Sequence, residues 1–271
     1  MEPFAIAVER SVLEFRGADV VRFLNGQLSN DVRKLQSAAA MHACVMTAKG
    51  RMNAEVWLTK LADGIRVDGP AGMGEELLGR FERYIISDDV TATDVTEQWR
   101  LHHIVGEGEG TSSRRVGVPG WDLWTQGENP GNLPRLLSPA DAESFRIASG
   151  IPAWGTELDE NTIPVEAGLD RDCIDYHKGC YVGQEVISRI KSVGRVNRLL
   201  ICLTAEKTST LAAGTALFAG DEVVGAVTSA ACSLDLENVV ALAYVKRAHS
   251  TPGTVLQTAA TGGESLIVQT L

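Results

Sequence analysis

Phe4-Ala5-Ile6-Ala7-Val8, an unbroken apolar run, and Ser11-Val12-Leu13-Glu14-Phe15, apolar but for Ser11 and Glu14, read as two short strands. The spacing then changes. From 17 to 35 the apolar residues Val20, Val21, Phe23, Leu24, Leu28, Val32 and Leu35 fall at helical spacing. Asn25-Gly26 can end a first helix and Ser29 or Asn30 can cap a second, because their side chains accept from the free amides at a helix start. Residues 41–46 and 56–59 predict paired strands turned by Lys49-Gly50-Arg51. Residues 64–68 predict a third, closed by Gly69-Pro70.

Further along, Met73, Leu77, Leu78, Phe81 and Tyr84 predict a core-facing helix over 72–84. Strands are predicted at 89–95, 100–105 and 120–125, with a Gly-, Ser- and Glu-rich loop at 106–113. Ser138 followed by Pro139 predicts a capped helix reaching about residue 149. Residues 150–175 are punctuated by Pro and Gly and read as an ordered crossover. From 196 onward the runs 199–203, 215–218, 223–228, 239–244, 254–257 and 265–268 have the spacing of a small barrel or sandwich. The class is therefore α+β, with a domain boundary near Arg195: residues 1–195, an α+β region of two intertwined subdomains, and 196–271, a β-barrel-like domain.

Composition narrows the function. A net charge of -10 over 271 residues argues against bulk attraction to nucleic acid or an anionic membrane. No apolar run approaches the roughly 20 residues of a membrane span, and Met1-Glu2-Pro3-Phe4 lacks the basic start of a signal peptide. Five widely spread cysteines, an odd number with no C-x-x-C pair, fit a reducing cytoplasm. A monomeric cytoplasmic protein is expected.

Candidate chemistry centres on Cys180, in Lys178-Gly179-Cys180-Tyr181-Val182-Gly183-Gln184-Glu185. A thiol reacts as thiolate, and His177 and Lys178 lie next to it in sequence while Gly179 leaves open backbone beside it. Most lone cysteines are small buried fillers. The flanking glycines and following polar pair weigh toward function. Cys173, seven residues upstream, could serve as a resolving thiol or share a cluster, although its spacing fits no standard metal motif. His102-His103 has neither a spaced Cys nor a neighbouring acid, so no metal site is assigned.

The Lys178–Glu185 run resembles the signature of YgfZ-type folate-binding proteins, the iron-sulfur assembly branch of the glycine-cleavage T-protein (aminomethyltransferase) superfamily. The stretch Phe23-Leu24-Asn25-Gly26-Gln27-Leu28-Ser29-Asn30-Asp31-Val32 is similar to the family's FLxGQLTNDV segment, and Ala48-Lys49-Gly50-Arg51 to its KGR turn. Arg146 to Pro152 and Ile163 to Leu169 resemble its R-x-x-x-G-x-P and P-x-E-x-G-L segments. The resemblance runs from about Phe15 to about Leu200. It implies a T-protein-like folate-binding fold of ring-arranged subdomains with a small C-terminal β-barrel, and tetrahydrofolate or a one-carbon derivative as cofactor. It places Glu166 as the acid reading the pterin, a role that suits paired N–H donors. Asn30, Asp31, Lys49, Arg51, Gln184, Glu185 and Arg189 become pocket candidates, and Cys180 with Lys178 the reactive pair. Arg195 is open to either a folate or a surface role.

One departure matters. Aminomethyltransferases carry a paired Asp motif after the glycine turn, where a carboxylate assists proton handling at the folate nitrogen. This chain reads Gly50-Arg51-Met52-Asn53-Ala54-Glu55 instead. Glu55 is an imperfect stand-in, since a one-residue shift on a strand reverses its facing. The resemblance therefore implies a folate-dependent factor acting transiently on iron-sulfur client proteins. The competing readings are a folate-dependent one-carbon transferase and a scaffold without ligand.

Overall fold

A computed structural model describes residues 2–127, 130–192, 194–206, 208–234 and 237–270. By packing, the chain divides into two compact units, Met1–Leu137 with Leu169–Ser192, and Ser138–Gly168 with Val193–Leu271.

In the first unit, strands β1 (Phe4–Val8), β2 (Arg10–Arg16), β3 (Met41–Met46), β4 (Met52–Leu61), β5 (Gly64–Pro70), β6 (Thr91–Asp94), β7 (Trp99–Val105), β8 (Thr111–Ser113), β9 (Gly120–Gln126) and β10 (Arg135–Leu136) form two sheets. Their orders are β3-β4-β5-β2-β6 and β10-β1-β7-β9-β8. Helices α1 (Val20–Gln27) and α2 (Gly74–Glu82) cover one face of the first sheet. Val20, Phe23, Leu24, Leu77 and Phe81 pack there against Leu13, Phe15, Val56, Leu58 and Val67. The Phe15 and Phe81 rings meet edge to face at 5.0 Å. Each such buried side chain contributes about 1.5–3 kcal/mol.

The opposite face of that sheet is ionic. Strand alternation places Glu14, Glu55, Arg66 and Asp68 there, all buried, and their partners include Arg10 of β2, His42 of β3, Trp99 of β7, Trp124 of β9 and Arg115 before β9. Asp68 receives Arg10 Nε at 2.7 Å and both Arg115 terminal nitrogens at 2.8 and 2.7 Å. Arg115 Nε donates to Asp122 at 2.6 Å, and Asp122 meets His103 Nδ1 at 2.8 Å. Arg66 lies 3.7 Å from the centre of the Trp99 ring and donates to Glu14 at 2.9 Å.

The second unit holds helices and strands around a barrel core. Helix α3 (Pro139–Ala148) starts as expected, with Ser138 accepting from Asp141 N. Strands β11 (Arg198–Ala205), β12 (Ala216–Ala219), β13 (Glu222–Cys232), β14 (Val239–Lys246), β15 (Val255–Gln257) and β16 (Ser265–Val268) close a barrel in the order β11-β14-β13-β12-β15-β16. Leu203, Leu217, Val227, Ala241, Val245, Leu256 and Leu266 fill it. The α+β class and the small barrel read from sequence are both present.

Three local readings are corrected. Helix α1 continues through Asn25 and Gly26 to Gln27, and the second helix shrinks to the single turn Val32–Lys34. Ser29 cannot cap it because its hydroxyl bonds Cys173 O and Cys44 N; Asp31 accepts from Arg33 N instead. Strand β5 runs on through Gly69 and Pro70, which pair with Ser11 and Arg10. A helix that the apolar pattern did not predict, α4 (Gln184–Ser192), follows Gly183 and is carried by the buried Ile187.

Two predictions follow from the ionic layer. Asp68→Ala leaves Arg10 and Arg115 buried without their shared partner, an expected loss of about 3–5 kcal/mol. It should appear as a lower urea midpoint at unchanged slope; an unmoved midpoint would refute the role. Acid should act on the same layer. Burial raises the pKa of Glu55 and Asp122, but Arg10 and His42 at Glu55, and Arg115, His103 and Ser113 at Asp122, reverse this and hold both below the usual range. Their contribution is complete above the ordinary carboxylate value of about 4 and is lost as pH falls through the depressed values. Unfolding followed from pH 7 downward should therefore show stability falling below about pH 4, a fall smaller in Glu55→Gln.

Candidate functional site

The Lys178–Glu185 segment is held to the first unit at several points. Lys178 is buried, and its ammonium donates to the carbonyls of Asn25 and Leu28 at 2.6 Å and of Asn30 at 2.7 Å. An ammonium has three hydrogens, so all are taken by backbone carbonyls of the turn after α1. Burial pulls its pKa down to about 8, and the three acceptors keep the proton in place at neutral pH. Val182 N donates to Gly26 O at 3.2 Å. Two glycines allow the remaining approach. Gly183 has φ +89, and a Cβ on it would lie 2.7 Å from Thr47 O; a Cβ on Gly50 (φ +69) would lie 2.7 Å from the Cβ of Val186. The 47–50 turn is thus packed against the backbone of Gly183 and the side chain of Val186.

Between these anchors Cys180 is exposed and free, and beside it Gly179 faces open space. The thiol is accessible on a fixed backbone. Lys178 points into the α1 turn and holds the loop's shape. Asn30 donates to His42 O and Asp172 O, both at 2.9 Å. Asp31 binds Arg33 through Nε and Nη2 at 2.7 Å, and the bond to Arg33 holds its pKa down. Lys49, Arg51, Glu185 and Arg189 are exposed and Gln184 is half-buried. The structure brings the 25–31 turn, the 47–51 turn and the 173–186 segment together.

Glu166 belongs to the second unit. It is buried, Arg198 Nε donates to its Oε2 at 2.8 Å, and the Arg198 guanidinium lies 4.4 Å from the Tyr244 ring centre. A carboxylate already oriented by a guanidinium still offers further lone pairs to paired N–H donors.

Sequence reasoning named Glu55 and Cys173 separately but missed His42, which joins them at the end of the ionic layer. Glu55 binds Arg10 through Oε1 and His42 Nε2 through Oε2 at 3.1 Å. On its other side His42 Nδ1 lies 3.0 Å from Cys173 Sγ, and the imidazole stacks on Trp57 at 4.2 Å. Because Glu55 stays ionised it must accept, which assigns the hydrogen to Nε2 and leaves Nδ1 to accept from the thiol. The available signal was Glu55, Asp68 and Asp122, lone acids inside apolar strands. The acid beside His103 comes from the neighbouring strand, out of reach of any local pattern. Among the described residues, no group of three or more His, Cys, Asp or Glu is placed to hold a metal ion. No helix among them is long and apolar enough to cross a membrane.

Comparison with known proteins agrees with this architecture. Residues 198–268 match the glycine cleavage T-protein C-terminal barrel domain. An aminomethyltransferase of Rubrobacter xylanophilus is 27% identical over 272 residues, covering 85% of this chain and 72% of that protein. An iron-sulfur cluster assembly factor IBA57 homolog, mitochondrial, of Phaeosphaeria nodorum is 24% identical over 217 residues, covering 71% of this chain and 53% of that protein. The crystal structure of glycine cleavage system aminomethyltransferase T from Bartonella henselae superposes with a TM-score of 0.83 at 18% identity, over 99% of this chain and 85% of that one. The fold is that of the glycine-cleavage T-protein, and the chain is similar in sequence both to aminomethyltransferases and to an iron-sulfur cluster assembly factor homolog.

The anchoring of Cys180 is testable. Lys178→Met strands three carbonyls and should cost on the order of 3 kcal/mol. Native-state hydrogen exchange should show residues 175–183 losing protection first, whereas unchanged exchange there would contradict the anchoring.

Proposed function

We propose that this chain binds tetrahydrofolate or a one-carbon derivative and supports the assembly or repair of iron-sulfur enzymes as a YgfZ-type protein, with Cys180 as its functional thiol. The observation that carries the reading is Cys180 itself, exposed on a loop whose backbone is pinned by Lys178, Val182 and Gly183. Nothing about packing requires a cysteine there, and a thiol on a rigid, open loop suits contact with client proteins. Glu166, oriented by Arg198, would read the pterin, and folate would supply a carrier for one-carbon units. Lys49, Arg51, Gln184, Glu185 and Arg189 supply polar groups around the same loop, while Asn30 and Asp31 hold the turn beneath it.

The transferase reading draws support from the aminomethyltransferase relative. It needs a carboxylate able to take a proton, and Glu55 is poorly suited. Both of its oxygens are engaged, by Arg10 and by His42, and these hold its pKa well below the usual range. Assembly or repair is therefore the favoured function.

Calorimetric titration with tetrahydrofolate should show binding by the parent protein and by Cys180→Ala. Glu166→Ala should bind at least about tenfold more weakly, the loss of one charge-assisted hydrogen-bonding partner. Cys180→Ala should still fail to sustain iron-sulfur enzyme activity in a strain lacking the parent protein. No binding by the parent would refute the cofactor, and full support by Cys180→Ala would refute the thiol's role.

A further inference from the structure

A second thiol site lies buried in the first unit, independent of Cys180 and of the proposed function. Cys173 and Cys44 are 1% and 0% exposed. Their backbones share one hydroxyl: Ser29 Oγ donates to Cys173 O at 2.5 Å and accepts from Cys44 N at 2.7 Å. Ser29 N donates in turn to Cys44 O, and Asp175 N to Ser29 O. Cys44 stands two residues from His42 on β3, so the two side chains leave the same face of the sheet. On that face His42 Nδ1 is 3.0 Å from Cys173 Sγ, and Glu55 fixes the far side of the imidazole. Burial and the Cys44 contact push the Cys173 pKa well up, so at rest it is a thiol donating to His42.

We infer that Cys44 and Cys173 are a dithiol redox site, closed to a disulfide by hydrogen peroxide with His42 as the local base. His42 takes the Cys173 proton, and the sulfur attacks one peroxide oxygen; the O–O bond breaks, and the leaving hydroxide takes the proton from His42 to become water. Cys173 is now a sulfenic acid. Cys44 sulfur then attacks Cys173 sulfur, the S–O bond breaks, and the hydroxyl leaves with the Cys44 proton as a second water. Two thiols are oxidised by two electrons and one peroxide is reduced to two waters. Only a small oxidant suits the site, because both sulfurs are enclosed while Cys180 and Cys232 are open. Closing the bridge would turn the Ser29 staple between β3 and the 169–175 segment into a covalent one, directly upstream of the Cys180 loop.

Cys180→Ser/Cys232→Ser protein, which keeps the buried thiols alone, is the material for the test. After exposure to hydrogen peroxide and unfolding in iodoacetamide, an unreduced digest should contain the Cys44 and Cys173 peptides joined, two hydrogens lighter. Cys202 should remain alkylated, and dithiothreitol should restore the separate peptides. His42→Gln should slow bridge formation at least about tenfold without changing which cysteines pair. Recovery of Cys44 and Cys173 as free thiols, or as unpaired sulfinic acids, would overturn the proposal, and an unchanged rate in His42→Gln would overturn the role of His42.

Discussion

Asp68 sits between two guanidiniums inside the first unit, and the rest of that unit is arranged around this buried carboxylate. Taking such charges out of water is costly unless every partner is present, so Arg10, Arg115, Asp122 and Glu55 are mutually required. The ion pairs join β5 to β2, β4 and β9, and so join the two sheets. The apolar core under α1 and α2 supplies hydrophobic stabilisation, while the ionic layer fixes which face of the first sheet meets the second.

That layer has a chemical consequence. Its end at Glu55 occupies the region where the resemblance to aminomethyltransferases looks for a proton-handling acid. Tied to Arg10 and His42, Glu55 is an ion-pair anchor that orients an imidazole. Reactivity is left to sulfur, in two different settings. Cys180 is exposed on a pinned loop, and Cys173 is enclosed beside Cys44 and His42.

Local patterns made much of the fold legible. The run before the Lys49-Gly50-Arg51 turn gave β3, the short β-rich runs gave the barrel strands, and the Ser138-Pro139 pair gave the start of α3. The failures share a cause. Ser29 was read as a helix cap, but a hydroxyl with two buried backbone partners 144 and 15 residues away is committed before any helix can use it. Lys178 was read as a neighbour of the Cys180 sulfur, yet its acceptors lie in the turn after α1. His103 read as lacking an acid because Asp122 reaches it only through sheet pairing. Motifs located the Cys180 loop; what each side chain does there was set by contacts that sequence spacing does not encode.

The central claim is that Glu55 is held as a carboxylate by its partners and is not available as a base. Carbon-13 NMR of the glutamate side-chain carboxyls, with Glu55 assigned by Glu55→Gln, tests it directly. The Glu55 signal should stay at its ionised position through the pH range in which exposed glutamates titrate. A Glu55 carboxyl that titrates with them, or above them, would contradict the account.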